Sequence, residues 1–133
     1  MATDVWDLYA QLGEGNRSAP TAAQRQVLAV CDLRQEVNAG GFDAYFRYWG
    51  GDSAAEALAA LPELLGQDWA NLLREAMELL GDPYPDDPDD RADRIDTGGL
   101  DETLNALDVR FYALEGSSDA DSRLSAYIDA NLS

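Results

Sequence analysis

Seven aspartates and three prolines fall within fifteen positions at 82–96, DPYPDDPDDRADRID. Carboxylates at that density raise metal binding as the first chemistry to weigh. A helix–loop–helix calcium site takes oxygens at loop positions 1, 3 and 5, glycine at 6 and glutamate at 12. Counted from Asp87, Asp89 fits the second ligand place, but Arg91 occupies the third. DDPDD also matches the Asp-Asp-x-x-Asp pattern that holds magnesium in prenyl-transfer enzymes. That pattern needs a helix to aim its carboxylates, and Pro88 stands inside it. A solvated loop is the plainer reading, and neither a metal nor a cofactor is implied.

Other chemistry is scarce. The chain has no histidine, which removes histidine-dependent triads and the usual zinc sites. Its single cysteine, Cys31, lies beside Val27 and Val30 and reads as a buried, inert thiol. Two carboxylates could form a glycosidase-like acid and base, but among 26 acids some pair always qualifies. No catalytic constellation stands out, so the expectation is a chain that is not an enzyme.

Net charge is −17, and all nine bases are arginine. Such a chain repels nucleic acid and anionic membranes, and its partners are basic proteins or cations if the charge is used at all. Residues 82–108 hold ten acids against Arg91 and Arg94. The candidate partner-binding residues are therefore Asp86, Asp87, Asp89, Asp90, Asp93 and Asp96, with Asp101, Glu102 and Asp108 behind them. On helices, carboxylates three or four residues apart lie about 5–6 Å apart at Cβ. Duplex DNA carries a charge every ~1.7 Å of its axis, a comparable density.

The elements that must position these groups are helices. Apolar residues recur at helical spacing, alternation is absent, and the expected fold is all-α: one compact domain over 1–133 with six or seven helices. A first helix over 3–13 would align Val5, Leu8, Tyr9 and Leu12. TAAQ, Thr21 to Gln24, is a capping box opening a helix that turns Ala23, Val27, Val30 and Val37 inward and ends near Asn38. Gly40-Gly41 makes a sharp corner before a short aromatic helix carrying Phe42, Tyr45, Phe46 and Trp49, read as core, with Arg47 as the one candidate for an exposed patch. Asp52 or Ser53 caps the next helix, which runs to Leu65. Another spans 68–80 with Trp69, Leu72, Leu73, Ala76 and Leu80 inward. The three prolines forbid a helix in the acidic stretch, leaving one long Pro-rich loop. Leu100, Leu104, Leu107, Phe111 and Leu114 then mark an amphipathic helix. Ser118 and Asp121 form a second capping box before a last helix with Leu124, Tyr127, Ile128 and Leu132 inward. Apolar runs are too short to span a membrane and no signal peptide is visible, so a cytoplasmic location is expected.

EVNAGGFDAYF, Glu36 to Phe46, resembles a bacterial family of unknown function whose best-known members are acidic DNA-mimic proteins. Glu36, Asn38, Gly40, Gly41, Phe42, Tyr45, Phe46 and Gly51-Asp52 match its pattern, while Ala39 and Tyr48 stand where the family has asparagine. The likeness covers about residues 24–130. It implies an all-α fold with Glu36, Asn38, Gly40, Gly41 and Phe42 as a structural corner. For the mimic members it implies a homodimer that occupies the DNA-binding face of a transcription regulator. The expected function is an acidic protein-interaction domain, a DNA mimic in its sharper form. The alternative is a small-molecule or metal-binding domain with a pocket behind the Gly-Gly corner, using Glu36 and Asn38. An uncharacterised enzyme is the third reading.

Overall fold

The structure, a computed structural model, describes residues 21–81 and 83–131. The helix expected over 3–13 and the inward Leu132 lie outside the described residues. Six helices and one 3-10 turn make up the described part: α1 Ala22–Arg47, the turn Trp49–Ser53, α2 Ala54–Leu64, α3 Gln67–Leu80, α4 Pro88–Gly98, α5 Asp101–Ser117 and α6 Ala120–Asn131. The fold is all-α.

α1 opens on the expected capping box. Gln24 N–H donates to the Thr21 hydroxyl at 3.2 Å, and Thr21 N–H donates to the Gln24 side chain at 2.9 Å. Its first straight segment ends at the Gly40-Gly41 corner, close to the expected end near Asn38. A second helical segment follows to Arg47 across a kink at Gly41, whose φ of 78° and ψ of 178° are not helical. Only glycine takes that conformation cheaply. The bend takes the Phe42 N–H out of the helical ladder, and it donates instead to the Asp108 carboxylate at 2.8 Å. The two expected helices are thus present, run together across a joint that Asp108 pins.

Beyond the joint, the aromatic residues enter the core. Phe42, Tyr45 and Phe46 are fully buried. Phe42 meets Phe111 edge-on with ring centres 5.8 Å apart, and Trp69 meets the same ring at 5.2 Å. Burying each such side chain contributes about 1.5–3 kcal/mol. Cys31 is buried, as its neighbours imply. In α3 the inward set is Trp69, Ala70, Leu72, Leu73, Ala76, Met77 and Leu80, which contains every position its spacing selects. In α5, Leu104, Leu107 and Phe111 are buried, with Leu100 and Leu114 packed partly against the core.

Two caps differ from expectation. Ser53 precedes α2 without a side-chain cap bond; its hydroxyl donates to buried Asp32 at 3.2 Å, and Asp52 pairs with Arg91. Before α6 it is Asp119 that accepts the Ser122 N–H, at 3.3 Å, while Asp121 turns to Arg34.

The largest departure is α4. The prolines do not exclude a helix from 82–96, because Pro88 sits at its first position, where the missing N–H would have no partner anyway. Asp87 caps it, accepting the Asp89 N–H at 2.8 Å. Only the segment up to Asp87, with Pro83 and Pro85, remains non-helical. Among the described residues no helix is long and apolar enough to cross a membrane.

Candidate protein-interaction surface

Arg91 fixes the acidic segment in place. It is 0 % exposed although it stands among aspartates. Its Nε donates to the Phe46 carbonyl at 2.7 Å. Its Nη1 donates to the carbonyls of Pro85 and Asp86 at 3.1 and 2.9 Å. Its Nη2 donates to the Tyr48 carbonyl at 3.1 Å and to Asp52 at 2.6 Å. The guanidinium lies 5.5 Å from the centre of the Tyr84 ring, whose hydroxyl donates to the Gly51 carbonyl at 2.8 Å. Two further arginines fasten α4. Arg94 donates to the Leu80 carbonyl at the end of α3, at 2.9 Å, and Arg47 reaches Asp96 at 2.7 Å. Arg47 also pairs with Asp43, so it is not an unengaged surface cation.

Arg91 is buried, Arg47 and Arg94 are held by these bonds, and the carboxylates around them face out. Asp86, Asp89, Asp90 and Asp93 are exposed; Asp89, Asp90 and Asp93 stand on α4, and Asp86 lies in the connection before its cap. Asp86, Asp90 and Asp93 line a cleft of about 460 Å³ with Pro83, Tyr84, Pro85 and Arg94. Asp101 and Glu102 are exposed in the first turn of α5. α3 and α5 run antiparallel, with Asp68 beside Leu114 and Glu75 bonded to Arg110 at 2.7 Å. The start of α5 therefore lies at the end of the bundle where α3 finishes and Arg94 docks α4. Local charge favours these acids: Asp89 and Asp90 of α4, like Asp101 and Glu102, sit near the positive end of a helix dipole.

Three nominated residues do other work. Asp87 is a helix cap. Asp96 is bonded to Arg47, whose hydrogen bonds hold its carboxyl below the usual range. Asp108 is only 9 % exposed and belongs to the joint in α1, not to the acidic surface. Its spacing, four after Leu104 and three before Phe111, places it on the inward face of α5, but no feature of the sequence reveals the backbone N–H that awaits it. At the corner itself, Asn38 donates to Glu115 at 2.9 Å, and Glu115 receives two bonds from buried Arg34 at 2.9 and 2.8 Å. Glu36 is half-buried. A Cβ on Gly41 would lie 2.4 Å from an Asp108 oxygen, so the inner side of the corner is filled by that carboxylate. Among the described residues no group of three or more histidine, cysteine or acidic side chains could hold a metal ion. Arg91 was the residue hardest to read from sequence. Its one signal is that it stands four residues before Ile95, the only large aliphatic side chain of its segment, and so shares that inward face.

Residues 18–131 match the family model of the DMP19-like proteins. The chain belongs to the DMP19-like family. No curated protein and no solved structure matches it. In this DMP19-like chain the corner that carries the likeness is the same joint that Asp108 pins.

The joint carries a pH signature. Burial pushes the Asp108 carboxyl above its usual range; the Phe42 N–H draws it down, and Asp43 adds to the rise. As pH falls, the folded chain takes up this proton before the unfolded chain does, so acidification through the folded pKa stabilises the fold. Asp96 and Glu75 act in the opposite sense. Arginine hydrogen bonds hold them low, so their contribution is present above the ordinary carboxylate range and is lost as pH falls through their folded values. Asp108→Asn keeps an oxygen for Phe42. Its stability relative to the unmodified chain is expected to fall as pH drops from about 7 towards 4. Urea denaturation across that range measures the gap, and a gap that stays constant rules the account out.

Proposed function

We propose that this chain is a non-enzymatic acidic interaction domain that occupies the nucleic-acid-binding face of a basic protein, such as a transcription regulator. One observation carries the reading. Arg34, Arg47, Arg91, Arg94 and Arg110 are all bonded within the protein, while Asp86, Asp89, Asp90, Asp93, Asp101 and Glu102 remain exposed. Arginines tied into such bonds are less available to offset the exposed carboxylates of this surface. Such a surface steers a basic partner over long range and pairs with arginine or lysine on contact. Membership of the DMP19-like family supports the reading.

The test is capture on the immobilised chain at rising salt, with and without competing duplex DNA. A nucleic-acid-binding protein should be retained, be displaced by excess DNA, and lose about tenfold or more in affinity between about 50 and 200 mM salt. Replacing Asp86, Asp89, Asp90 and Asp93 by asparagine should weaken capture further. A partner held unchanged in high salt and excess DNA defeats the proposal.

A further inference from the structure

α5 presents an outward stripe that breaks the acidic pattern. Asn105, Ala106, Val109, Tyr112, Ala113 and Gly116 are all exposed and follow helical spacing on one face. None is charged, in a chain with net charge −17. Val109 is 68 % exposed and Tyr112 45 %, two of the three large hydrophobic side chains exposed among the described residues. Tyr112 is held in place, its hydroxyl donating to the Val37 carbonyl at 3.1 Å. Ala113 also lines a groove of about 310 Å³ between α3 and α5, together with Leu72 and Leu114. Acids edge this surface. Asp68 stands on the groove, Glu75 lies beside it, and Asp101 and Glu102 stand at the start of α5. On the groove, Arg110 is drawn back by two bonds to Glu75, at 3.1 and 2.7 Å.

An uncharged centre with a polar rim is the anatomy of a protein interface, and binding energy concentrates in such centres. We infer that the Val109–Tyr112 face docks an amphipathic, arginine- or lysine-bearing helix of the partner. Its apolar side seats on Val109, Tyr112 and Ala113, and its basic flanks meet Asp68, Glu75, Asp101 and Glu102. The charge complementarity selects this occupant: a second copy of this chain would set acidic rim against acidic rim. The inference rests on the acidic-interaction reading above and adds that charge alone is not the anchor.

Two synthetic peptides test it. One is a helix with leucines aligned on one face and arginines on the other; its control is a scramble of the same composition with the leucines dispersed. Fluorescence titration should show the aligned peptide binding about tenfold more tightly than the scramble, with a part of its affinity that survives high salt. Val109→Asp adds a negative charge, so charge alone predicts tighter binding of both peptides. The inference predicts the reverse for the aligned peptide, a loss of about tenfold, with the scramble unaffected or tighter. Val109 is exposed, so the variant folds, which thermal melting checks. Equal affinities of the two peptides, or an aligned peptide unharmed by Val109→Asp, overturn the inference and leave the acidic reading standing. Failure of both peptides to bind the unmodified chain overturns both readings. A dimer in sedimentation that Val109→Asp dissolves would make a second copy the occupant, which also overturns it.

Discussion

Arg91→Met is expected to destabilise the protein by about 3–5 kcal/mol, through the several carbonyl acceptors it strands. The side chain gathers four backbone carbonyls and Asp52 around one guanidinium. Its loss leaves those acceptors without donors at the meeting point of α1, the 3-10 turn and the segment before α4. Each buried acceptor so stranded costs about 1–3 kcal/mol unless water reaches it. Arg91→Lys recovers only part of the loss, because an ammonium has three donors and lacks the planar fork that reaches both sides at once. The defect should persist at high salt, since a buried group is weakly screened. Urea denaturation gives the magnitudes, and amide exchange should rise first in residues 88–98. An Arg91→Lys protein as stable as the unmodified chain would show that the fork is dispensable.

The second large effect is at the joint. Gly41→Ala meets two costs: a left-handed φ of 78°, and a Cβ placed 2.4 Å from an Asp108 oxygen. The first costs about 1–2 kcal/mol. The second displaces the carboxylate that satisfies Phe42 and costs about 1–3 kcal/mol more. Gly99→Ala, at a φ of 60° and a ψ of 44° with nothing within 4 Å of the added carbon, should show a conformational cost alone. It should therefore give the smaller loss, since Gly41 at ψ 178° lies in a region still less open to other residues. Asp108→Ala removes the obstacle but strands the Phe42 N–H. Gly41→Ala with Asp108→Ala should therefore be more stable than the summed single effects imply, by about 0.5–3 kcal/mol. Strict additivity in that cycle would mean that the two residues do not meet.

These two residues show what the sequence could and could not disclose. Helical periodicity was legible wherever one apolar face repeats, as in α3 and α5, because burial of that face is what forms the helix. The corner was legible as glycine between two helical segments. What was not legible is the Asp108 oxygen that pins it, 66 positions away in the chain. The acidic stretch misled for a related reason: proline breaks a helix inside it and begins one at its first turn, and composition does not say which. Of the nominated acids, Asp86, Asp89, Asp90 and Asp93 and those at the start of α5 face solvent as expected. Asp96 and Asp108 do not stand free, since their use depends on an arginine and a backbone N–H supplied by α1. Val109 and Tyr112 fall off the inward stripe of α5 in the sequence, but spacing alone does not disclose that they share one exposed, uncharged face.

The pinned joint also limits how this chain can change length. An α-helix turns about 100° per residue, so one residue added between Cys31 and Gly41 would swing everything beyond it by that angle. Phe42, Tyr45 and Phe46 would leave the core together, and the Phe46 and Tyr48 carbonyls would leave Arg91. An insertion between Ser118 and Asp119 lengthens only the non-helical connection before α6. Insertions and deletions should therefore be excluded from the stretch that leads into the joint and tolerated in that connection. A scan of single-residue insertions would trace that boundary as a step in the yield of folded protein.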